Sequence, residues 1–420
     1  MKNNLGIEIN MRELSLYNFG KEKLAPVLYA YIYWVLKEAK KRDIHTLYFL
    51  ARDGYIMNKI ARVICENEEL DICCRYLYCS RMSLRMPTYH LIDDEAYDLI
   101  FAQGYHVTVK TFFERVGLPS TKWNDIIKKT KISHIDISKE LSINEIKNVR
   151  EKLCKNTEFV KFVNEESINA FDIGVKYLQQ ESVLSQSRVA IVDSGWTGSM
   201  QRSLRQILEY AGWKGNILGF YFGLYKIPKK EDGEYFSFYF NGKGDIQNKA
   251  LFCNNLFEIF TSAPHGMTIG YQKNKEKITP IFAEPVQKVQ LEKIKNQIEG
   301  VMDGVNKIVR EKNKYDKKYC QKVLRKIMGF PTKEISIMYG EFTFCDDITE
   351  KYQMKINGVE QKRVLKDQLI LNKLIRKIRG QKQNPIFWEF GLVSLIKNPI
   401  KRRWYWINIY IWKVIMYMVR

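Results

Sequence analysis

The chain has 420 residues, of which 45% are hydrophobic and 27% are charged, a composition that excludes an intrinsically disordered protein. The formal net charge is +21 and is unevenly placed, because residues 271–420 contain 32 Lys and Arg but only 15 Asp and Glu. This basic part predicts an anionic partner surface, with solvated Lys-rich helices as the alternative. The five histidines and eight cysteines show no zinc-ligand spacing and no disulfide framework. A polar start without an apolar signal core favours a cytoplasmic protein.

The first apolar segment, Leu24–Leu36, predicts a buried helix, because it is shorter than the roughly 20 residues that cross a bilayer. A strand at Thr46–Leu50, a helix from about Tyr55 to Cys65 and a strand at Arg75–Cys79 follow. One helix separates the two strands, which indicates a β-α-β unit with parallel strands.

Residues 93–180 are predicted to form a mostly helical insertion, in which Ser142 and Glu145 have the spacing of a capping box. After it come a predicted strand at Val189–Val192, a helix at Ser199–Tyr210 and a strand at Asn216–Leu224. This alternation predicts an α/β, Rossmann-like fold with a mostly parallel sheet and helical insertions.

The sequence texture divides the chain into three predicted parts. Residues 1–275 form the α/β catalytic domain, residues 276–383 a basic helical region, and residues 384–420 an aromatic and basic C-terminal segment. Strand signals become rare after about residue 275, and Lys-rich helical periodicity replaces them.

The C-terminal segment carries an apolar stretch, Trp404–Val419, which Asn408 and Lys413 interrupt. It is short for a membrane-spanning helix. Because Trp and Tyr favour the lipid headgroup zone and Lys401–Arg403 would meet anionic lipid, we expect an interfacial anchor. A helix docked on the protein's own core is the main alternative, and a nucleic-acid-binding tail is a weaker one, since no RNA-binding motif supports it.

The segment Asp193–Gln201 (DSGWTGSMQ) carries the sharpest chemical signal. A buried parallel strand would deliver Asp193 to the carboxyl edge of the sheet, and Gly195 and Gly198 would let the backbone approach a ligand closely. The N–H groups of the following helix would then cradle a phosphate. We therefore predict Asp193 as catalytic and the following residues as phosphate or substrate contacts: Ser194, Gly195, Trp196, Thr197, Gly198, Ser199 and Gln201. A tight turn with a helix cap is the alternative.

A second signal, Ala51-Arg52-Asp53-Gly54, follows the first strand. Asp53 is predicted to act as an acid or base, or to bind Mg²⁺ together with Asp193 and waters. Arg52 would hold a phosphate through two hydrogen bonds, and Gly54 is included among the binding residues. The alternative makes Asp53 a helix cap and Arg52 a surface charge.

Two further groups complete the predicted site. Ser80 would bind a phosphoryl oxygen at the end of the second strand and Arg81 would add charge, with a turn cap as the alternative. Glu258 is a predicted substrate contact, and His265 is the best-placed histidine for proton transfer, although a histidine that caps a turn is more common. Cys79 is expected to be a buried structural thiol.

Four motifs in this order, FLARDG, YCSRMSLRMP, VDSGWTGSMQ and FEIFTSAPHGMTIGY, resemble a bacterial family of haloacid dehalogenase-like (HAD-like) hydrolases of surface-polysaccharide gene clusters. The resemblance covers roughly Leu16–Tyr271 and includes only the module that follows the DxD-containing domain of longer members. In the superfamily's first motif one aspartate is the nucleophile and a second is the acid/base. Here Ala51 stands at the nucleophile position and Asp53 at the second, while Ser80 matches the second-motif hydroxyl and Asp193 the metal-binding acid.

The resemblance implies an enzyme of capsule or O-antigen synthesis that acts on a phosphorylated or nucleotide-activated sugar or polyol at the inner face of the cell membrane. Because Ala51 cannot attack phosphorus, a transferase fits better than a HAD-like phosphohydrolase, which stays open. One alternative is a catalytically silent phosphate- or sugar-binding module recruited to the membrane. Another is a phosphoribosyltransferase-like enzyme, whose motif usually has two adjacent acids where this chain has Asp193 alone.

Overall fold

The computed structural model describes residues 15–104, 106–132, 135–284, 288–345, 347–349, 351–357, 365–379 and 386–419. Its centre is a five-stranded, all-parallel sheet with the strand order β2-β1-β3-β4-β5. The strands in chain order are β1 Thr46–Leu50, β2 Cys73–Leu77, β3 Arg188–Trp196, β4 Asn216–Leu224, β5 Glu234–Phe240, β6 Thr268–Asn274, β7 Lys277–Phe282, β8 Thr343–Phe344 and β9 Met354–Lys355. The α/β fold with a parallel sheet is thus confirmed.

Helices cover both faces of the sheet and build the rest of the molecule. The α-helices in chain order are α1 Leu16–Phe19, α2 Ala25–Lys41, α3 Gly54–Asn67, α4 Arg81–Arg85, α5 Asp93–Ile100, α6 Val109–Arg115, α7 Ser120–Lys129, α8 Ile143–Cys154, α9 Thr157–Gln180, α10 Ser199–Tyr210, α11 Ile246–Leu251, α12 Asn254–Thr261, α13 Lys288–Arg310, α14 Lys317–Leu324, α15 Lys333–Gly340, α16 Ile370–Ile378, α17 Glu389–Ser394 and α18 Pro399–Val419. Short 3₁₀ or π turns lie at Gly20–Leu24, Met86–Leu91, Lys230–Asp232, Arg325–Gly329 and Leu365–Gln368.

The central strands are almost continuously apolar because both of their faces are covered. Leu47, Tyr48, Phe49 and Leu50 of β1 have no exposed surface. Helix α2 packs beneath the sheet, and its buried Tyr31 donates hydrogen bonds to the carbonyl oxygens of Asp193 (2.9 Å) and Phe220 (2.8 Å). This tyrosine fixes the helix to the strands that carry the candidate site.

Several predicted bounds are confirmed as they stand, namely β1, β4 and helix α10. Strand β2 runs over Cys73–Leu77 instead of Arg75–Cys79, because it pairs residue by residue with β1 from Thr46 to Leu50 and ends where β1 ends. Strand β3 continues to Trp196, since β4 offers pairing partners as far as Leu224.

Residues 93–180, predicted as a mostly helical insertion, contain helices α5 to α9. It has its own apolar cluster, in which Phe112, Phe113, Val149 and Phe159 are fully buried. The capping box of Ser142 with Glu145 forms as the spacing predicts. The insertion therefore has an apolar core of its own, separate from the clusters around the sheet.

The predicted boundary near residue 275 falls in the turn of the antiparallel hairpin β6–β7, which sequence periodicity did not indicate. The cluster that holds Phe49, Ile60 and Phe222 also contains Val301 of α13 and Trp388 beside α17. The sheet and the C-terminal helices therefore share one apolar core, to which all three predicted parts of the chain contribute.

The C-terminal helix α18 is docked on the body of the protein through one face. Tyr405 and Ile409 are buried, and the Trp406 Nε1–H donates to the carbonyl of Gly329 at 2.7 Å. The alternative of a helix docked on the protein's own core is therefore correct for one face of α18. Within the described ranges, none of the helices combines the length and hydropathy needed to traverse a bilayer.

Candidate functional site at the carboxyl edge of the sheet

Asp53 and Asp193 lie on neighbouring strands at one edge of the sheet. Asp53 follows β1 and Asp193 is part of β3, and these two strands pair side by side. In the order 2-1-3-4-5 the chain reverses its winding direction between β1 and β3, and ligands of doubly wound sheets bind at that switch point. Burial and next the charge of Asp193 raise the pKa of Asp53, which shows that the two carboxyl groups are close enough to interact. The structure thus brings Asp53 and Asp193 together at this edge of the sheet.

A cavity of 840 Å³ opens at this edge, within the size range of small-molecule sites. The sheet edge contributes Arg52 and Asp53, and the segment after β2 contributes Arg81. Glu258 of α12 and His265 complete the polar wall. The remaining walls come from the helical insertion and the C-terminal part, with Lys110, Glu114, Leu118, Trp123, Gln290, Leu291, Ile294, Thr343, Phe344 and Lys351 among their residues.

Three carboxyl groups at this edge hold their protons more tightly than ordinary acids. Burial, and next the negative charge of Asp193, raises the pKa of Asp53 to about 7, against a smaller opposing effect of the Ser194 and Thr261 hydroxyls and of Arg52. Burial and the charge of Asp53 likewise raise the pKa of Glu258 to about 7. At neutral pH the cavity therefore contains carboxyls that both give and accept protons.

Asp193 belongs to the same cluster but lies behind the cavity wall. Burial raises its pKa to about 7, while hydrogen bonds from the backbone N–H groups of Gly195 and Ser194 lower it and the charge of Glu258 raises it. Its carboxyl oxygens are thus engaged by its own loop. Asp193 acts on the cavity through its charge on Asp53.

Glu258 is held in place by the last residue of strand β3. The Trp196 indole N–H donates to Glu258 Oε1 at 2.7 Å. This hydrogen bond favours the ionised carboxylate and lowers the pKa of Glu258 against the larger effect of burial. Trp196, predicted as a substrate contact, therefore positions the carboxyl that faces the ligand space.

His265 lines the cavity as a neutral imidazole. Its Nδ1 lies 2.8 Å from the carbonyl oxygen of Gly266, to which it donates, and Nε2 accepts from the Tyr76 hydroxyl at 2.8 Å. Burial lowers the pKa of His265, and the charge of Arg52 lowers it further. Both ring nitrogens are engaged, so proton transfer by His265 would pass through Tyr76.

Five of the predicted site residues line the cavity: Arg52, Asp53, Arg81, Glu258 and His265. The predicted phosphate loop is placed differently. Gly198, with φ of +75°, packs its Cα against the Tyr235 ring, and the Gln201 amide donates to the backbone carbonyls of Asp232 and Glu234. Among the described lining residues of the cavity, no member of the loop 194–201 occurs, and its turn has a structural role at the start of α10.

Ser80 and Gly54 also have structural tasks. The Ser80 hydroxyl accepts from the Ser83 N–H, as a helix cap, and donates to the carbonyl of Thr268 at 2.6 Å. A Cβ at Gly54 would lie 2.7 Å from the carbonyl carbon of Phe49, so glycine lets α3 start directly against β1. Cys79 is buried, as expected.

A Mg²⁺ site on Asp53 and Asp193 was predicted. In the part of the chain that the structure describes, no three His, Cys, Asp or Glu side chains are grouped in a way that could hold a metal ion. The Asp193 oxygens accept backbone hydrogen bonds, which leaves them poorly placed as ligands. The Mg²⁺ site on two aspartates and waters stays a prediction, and no step below depends on a metal.

Sequence reasoning missed the walls that come from distant parts of the chain. Lys110 and Trp123 of the insertion and Thr343 and Lys351 near β8 reach the cavity only through tertiary packing. No local pattern marks them. The contact of Tyr76 with His265 has a local signal, because Tyr76 lies in a predicted strand whose end is assigned to the site.

Comparison with known proteins does not assign the chain to a family. The chain matches no protein-family model, and no curated protein matches it significantly. The resemblance to HAD-like hydrolases therefore rests on the four motifs quoted above and stays a prediction.

Proposed function

We propose that this chain is an enzyme of surface-polysaccharide synthesis that acts on a phosphorylated or nucleotide-activated sugar or polyol. The observation that carries the proposal is the pairing of two proton-holding carboxyls, Asp53 and Glu258, with the guanidinium groups of Arg52 and Arg81 in one cavity. Perturbed acids in a cleft mark catalytic sites more often than chance. An arginine guanidinium can bind two oxygens of one phosphate group through two parallel hydrogen bonds.

The cavity suits a ligand with one anionic end and many hydroxyls. Arg52 and Arg81 would bind the phosphate and stabilise the charge that develops on it as the leaving group departs. Asp53 and Glu258 would accept hydrogen bonds from sugar hydroxyls, and one of them would take the proton of the attacking hydroxyl. That hydroxyl belongs to an acceptor sugar in a transferase and to water in a hydrolase.

Group transfer without an enzyme-bound phosphate fits this chain best, because Ala51 offers no nucleophile. The same feature supports a second candidate, a binding module that retains the phosphate and sugar contacts but catalyses nothing. Its carboxyls would then serve recognition alone. A cytoplasmic location at the inner face of the membrane belongs to the first proposal, since lipid-linked glycans are assembled there.

The test uses the full chain and a panel of UDP-glucose, CDP-glycerol and glucose 1-phosphate, with and without Mg²⁺. Binding by calorimetry and release of nucleotide or phosphate are followed together. Turnover that Asp53→Asn abolishes supports the enzyme. Binding without turnover supports the silent module. Absence of both with every compound contradicts the sugar-phosphate proposal.

A further inference from the structure

The outer side of helix α18 carries a continuous apolar stripe. We use this name for Ile400, Trp404, Ile407, Ile411, Ile415 and Met418, which are 40–80% exposed. Their spacing of three or four residues places them on one face of the helix. The opposite face holds Tyr405 and Ile409, which are buried against the body of the protein.

The helix is therefore apolar on two faces, and only one is covered by the protein itself. The stripe extends over about 27 Å at 1.5 Å per residue. Surface apolar residues on soluble proteins are normally scattered, and a contiguous run marks a surface for binding. Eleven of the nineteen exposed large apolar side chains in the described ranges lie between residues 371 and 419.

The neighbouring helix α16 adds to this surface. Leu371, Leu374, Ile375 and Ile378 are 37–84% exposed and follow helical spacing. Its Lys373 points inward instead, with the ammonium 5.5 Å from the centre of the Trp412 ring of α18. Each of these two adjacent helices thus turns one lysine inward, Lys373 of α16 and Lys413 of α18, and a row of apolar side chains outward.

Positive charge surrounds the start of α18. Lys397, Arg402 and Arg403 line a groove of 1030 Å³ whose floor is formed by Phe330 and Trp406. Glu389 is the single acidic residue between positions 386 and 419, and it is bound to Lys413 at 2.9 Å. Glu389 therefore neutralises Lys413, and residues 386–419 contain no further acidic side chain that could neutralise Lys397, Arg402 or Arg403.

We propose that the apolar stripe and the basic groove together form a docking surface for an anionic lipid bilayer. Helix α18 lies in the plane of the interface, with the stripe among the upper acyl chains and the arginines at the headgroup phosphates. This goes beyond the enzyme proposal, because it depends on no feature of the cavity. Charge complementarity selects the bilayer over a second copy of this equally basic chain.

The test measures sedimentation of the full chain with vesicles of 30% phosphatidylglycerol in phosphatidylcholine and of phosphatidylcholine alone. We expect preferential binding to the anionic vesicles, which Arg402→Gln with Arg403→Gln weakens about 30-fold, at roughly fivefold per charge. Ile407→Asn with Ile411→Asn is expected to weaken binding at least tenfold on both vesicle types. Ile168→Asn with Ile337→Asn is the matched control, because these side chains are similarly exposed on other helices.

Unchanged vesicle binding by the stripe variant, with circular dichroism equal to wild type, would overturn the proposal. So would a wild-type protein that ignores anionic vesicles. If light scattering shows a dimer that the stripe variant dissociates while vesicle binding stays absent, the surface belongs to a second copy and the bilayer assignment is wrong. None of these outcomes depends on turnover in the cavity.

Discussion

Two clusters of partly or fully buried charge in this molecule have opposite electrostatics. At the sheet edge, Asp53 and Glu258 face each other and Asp193, and burial with mutual repulsion raises each pKa to about 7. Beside α18, Glu389 stands between Lys413 and Lys373: burial raises its pKa, but the two ammonium groups outweigh burial and hold the pKa below its usual value.

This difference in carboxyl pKa distinguishes a candidate catalytic site from a cluster that stabilises the fold. In the C-terminal cluster the charges neutralise one another, which stabilises one arrangement of α16, α17 and α18. At the sheet edge like charges are brought together at a cost in stability, a pattern typical of catalytic groups. Substitutions in the two clusters should therefore have opposite consequences.

The largest expected effect is the loss of turnover in the sheet-edge cluster. Asp53→Asn and Glu258→Gln each remove a proton-transfer group and should lower kcat about 10²–10⁴-fold on the substrate that the panel identifies. Because each also removes repulsion, the free energy of unfolding at pH 8 should stay equal or rise. Steady-state kinetics and urea unfolding check the two halves. A variant with wild-type kcat but a lower free energy of unfolding would show that these acids stabilise the fold and do not act in catalysis.

The C-terminal cluster should give the reverse result. Glu389→Gln leaves Lys413 without its counter-charge and should lower the free energy of unfolding by about 3 kcal/mol, without changing kcat. Urea unfolding at pH 7 measures the loss. The triple variant Glu389→Leu with Lys413→Met and Lys373→Met is the control and should recover most of it, since it leaves no unpaired buried charge in this cluster.

The third effect concerns ligand binding by the arginines that border the acids. Arg81→Gln should weaken binding of the phosphorylated ligand about 10- to 100-fold, because a charge-assisted hydrogen bond is lost. Calorimetry with the identified ligand and with the non-phosphorylated sugar separates phosphate contacts from sugar contacts. Arg62→Gln is the control, because Arg62 donates to the Cys74 carbonyl and is not among the described residues that line the cavity. Equal weakening by both variants would remove Arg81 from the phosphate site.

The fourth effect is a difference in pH dependence between the clusters. Raised carboxyl pKa values mean that the folded protein binds protons more tightly than the unfolded chain between about pH 4 and 7. Stability should therefore fall as pH rises through this window, on the order of 4 kcal/mol for a single group whose pKa rises by about 3 units, and Asp53→Asn should flatten the slope. The lowered pKa of Glu389 acts below this window, where stability is lost as pH falls. Urea midpoints at half-unit pH steps reveal both trends.

The comparison also shows what sequence can reveal. Strand ends are local, so Asp53 and Asp193 were correctly placed at one edge from two apolar runs and their glycines. The loop 194–201 has the composition of a phosphate cradle, but composition does not tell whether N–H groups face a cavity or, as at Gly195, the carboxylate of Asp193. The pairing of Glu389 with Lys413 joins positions on two helices, which no periodicity encodes. Hairpin β6–β7 was missed because its strands alternate too weakly to interrupt a Lys-rich stretch.

The smallest expected effect tests how Trp196 acts on Glu258. Removing the indole donor with Trp196→Phe takes away a hydrogen bond to the ionised carboxylate, so the pKa of Glu258 should rise by about half a unit. If Glu258 is the base, the apparent pKa of the acidic limb of the kcat/KM profile rises by the same amount. Substrate affinity at high pH then stays near wild type. If Asp53 is the base, the limb stays in place. Trp34→Phe, a ring change in α2 beneath the sheet, should leave the profile unchanged and serves as the control for altered packing.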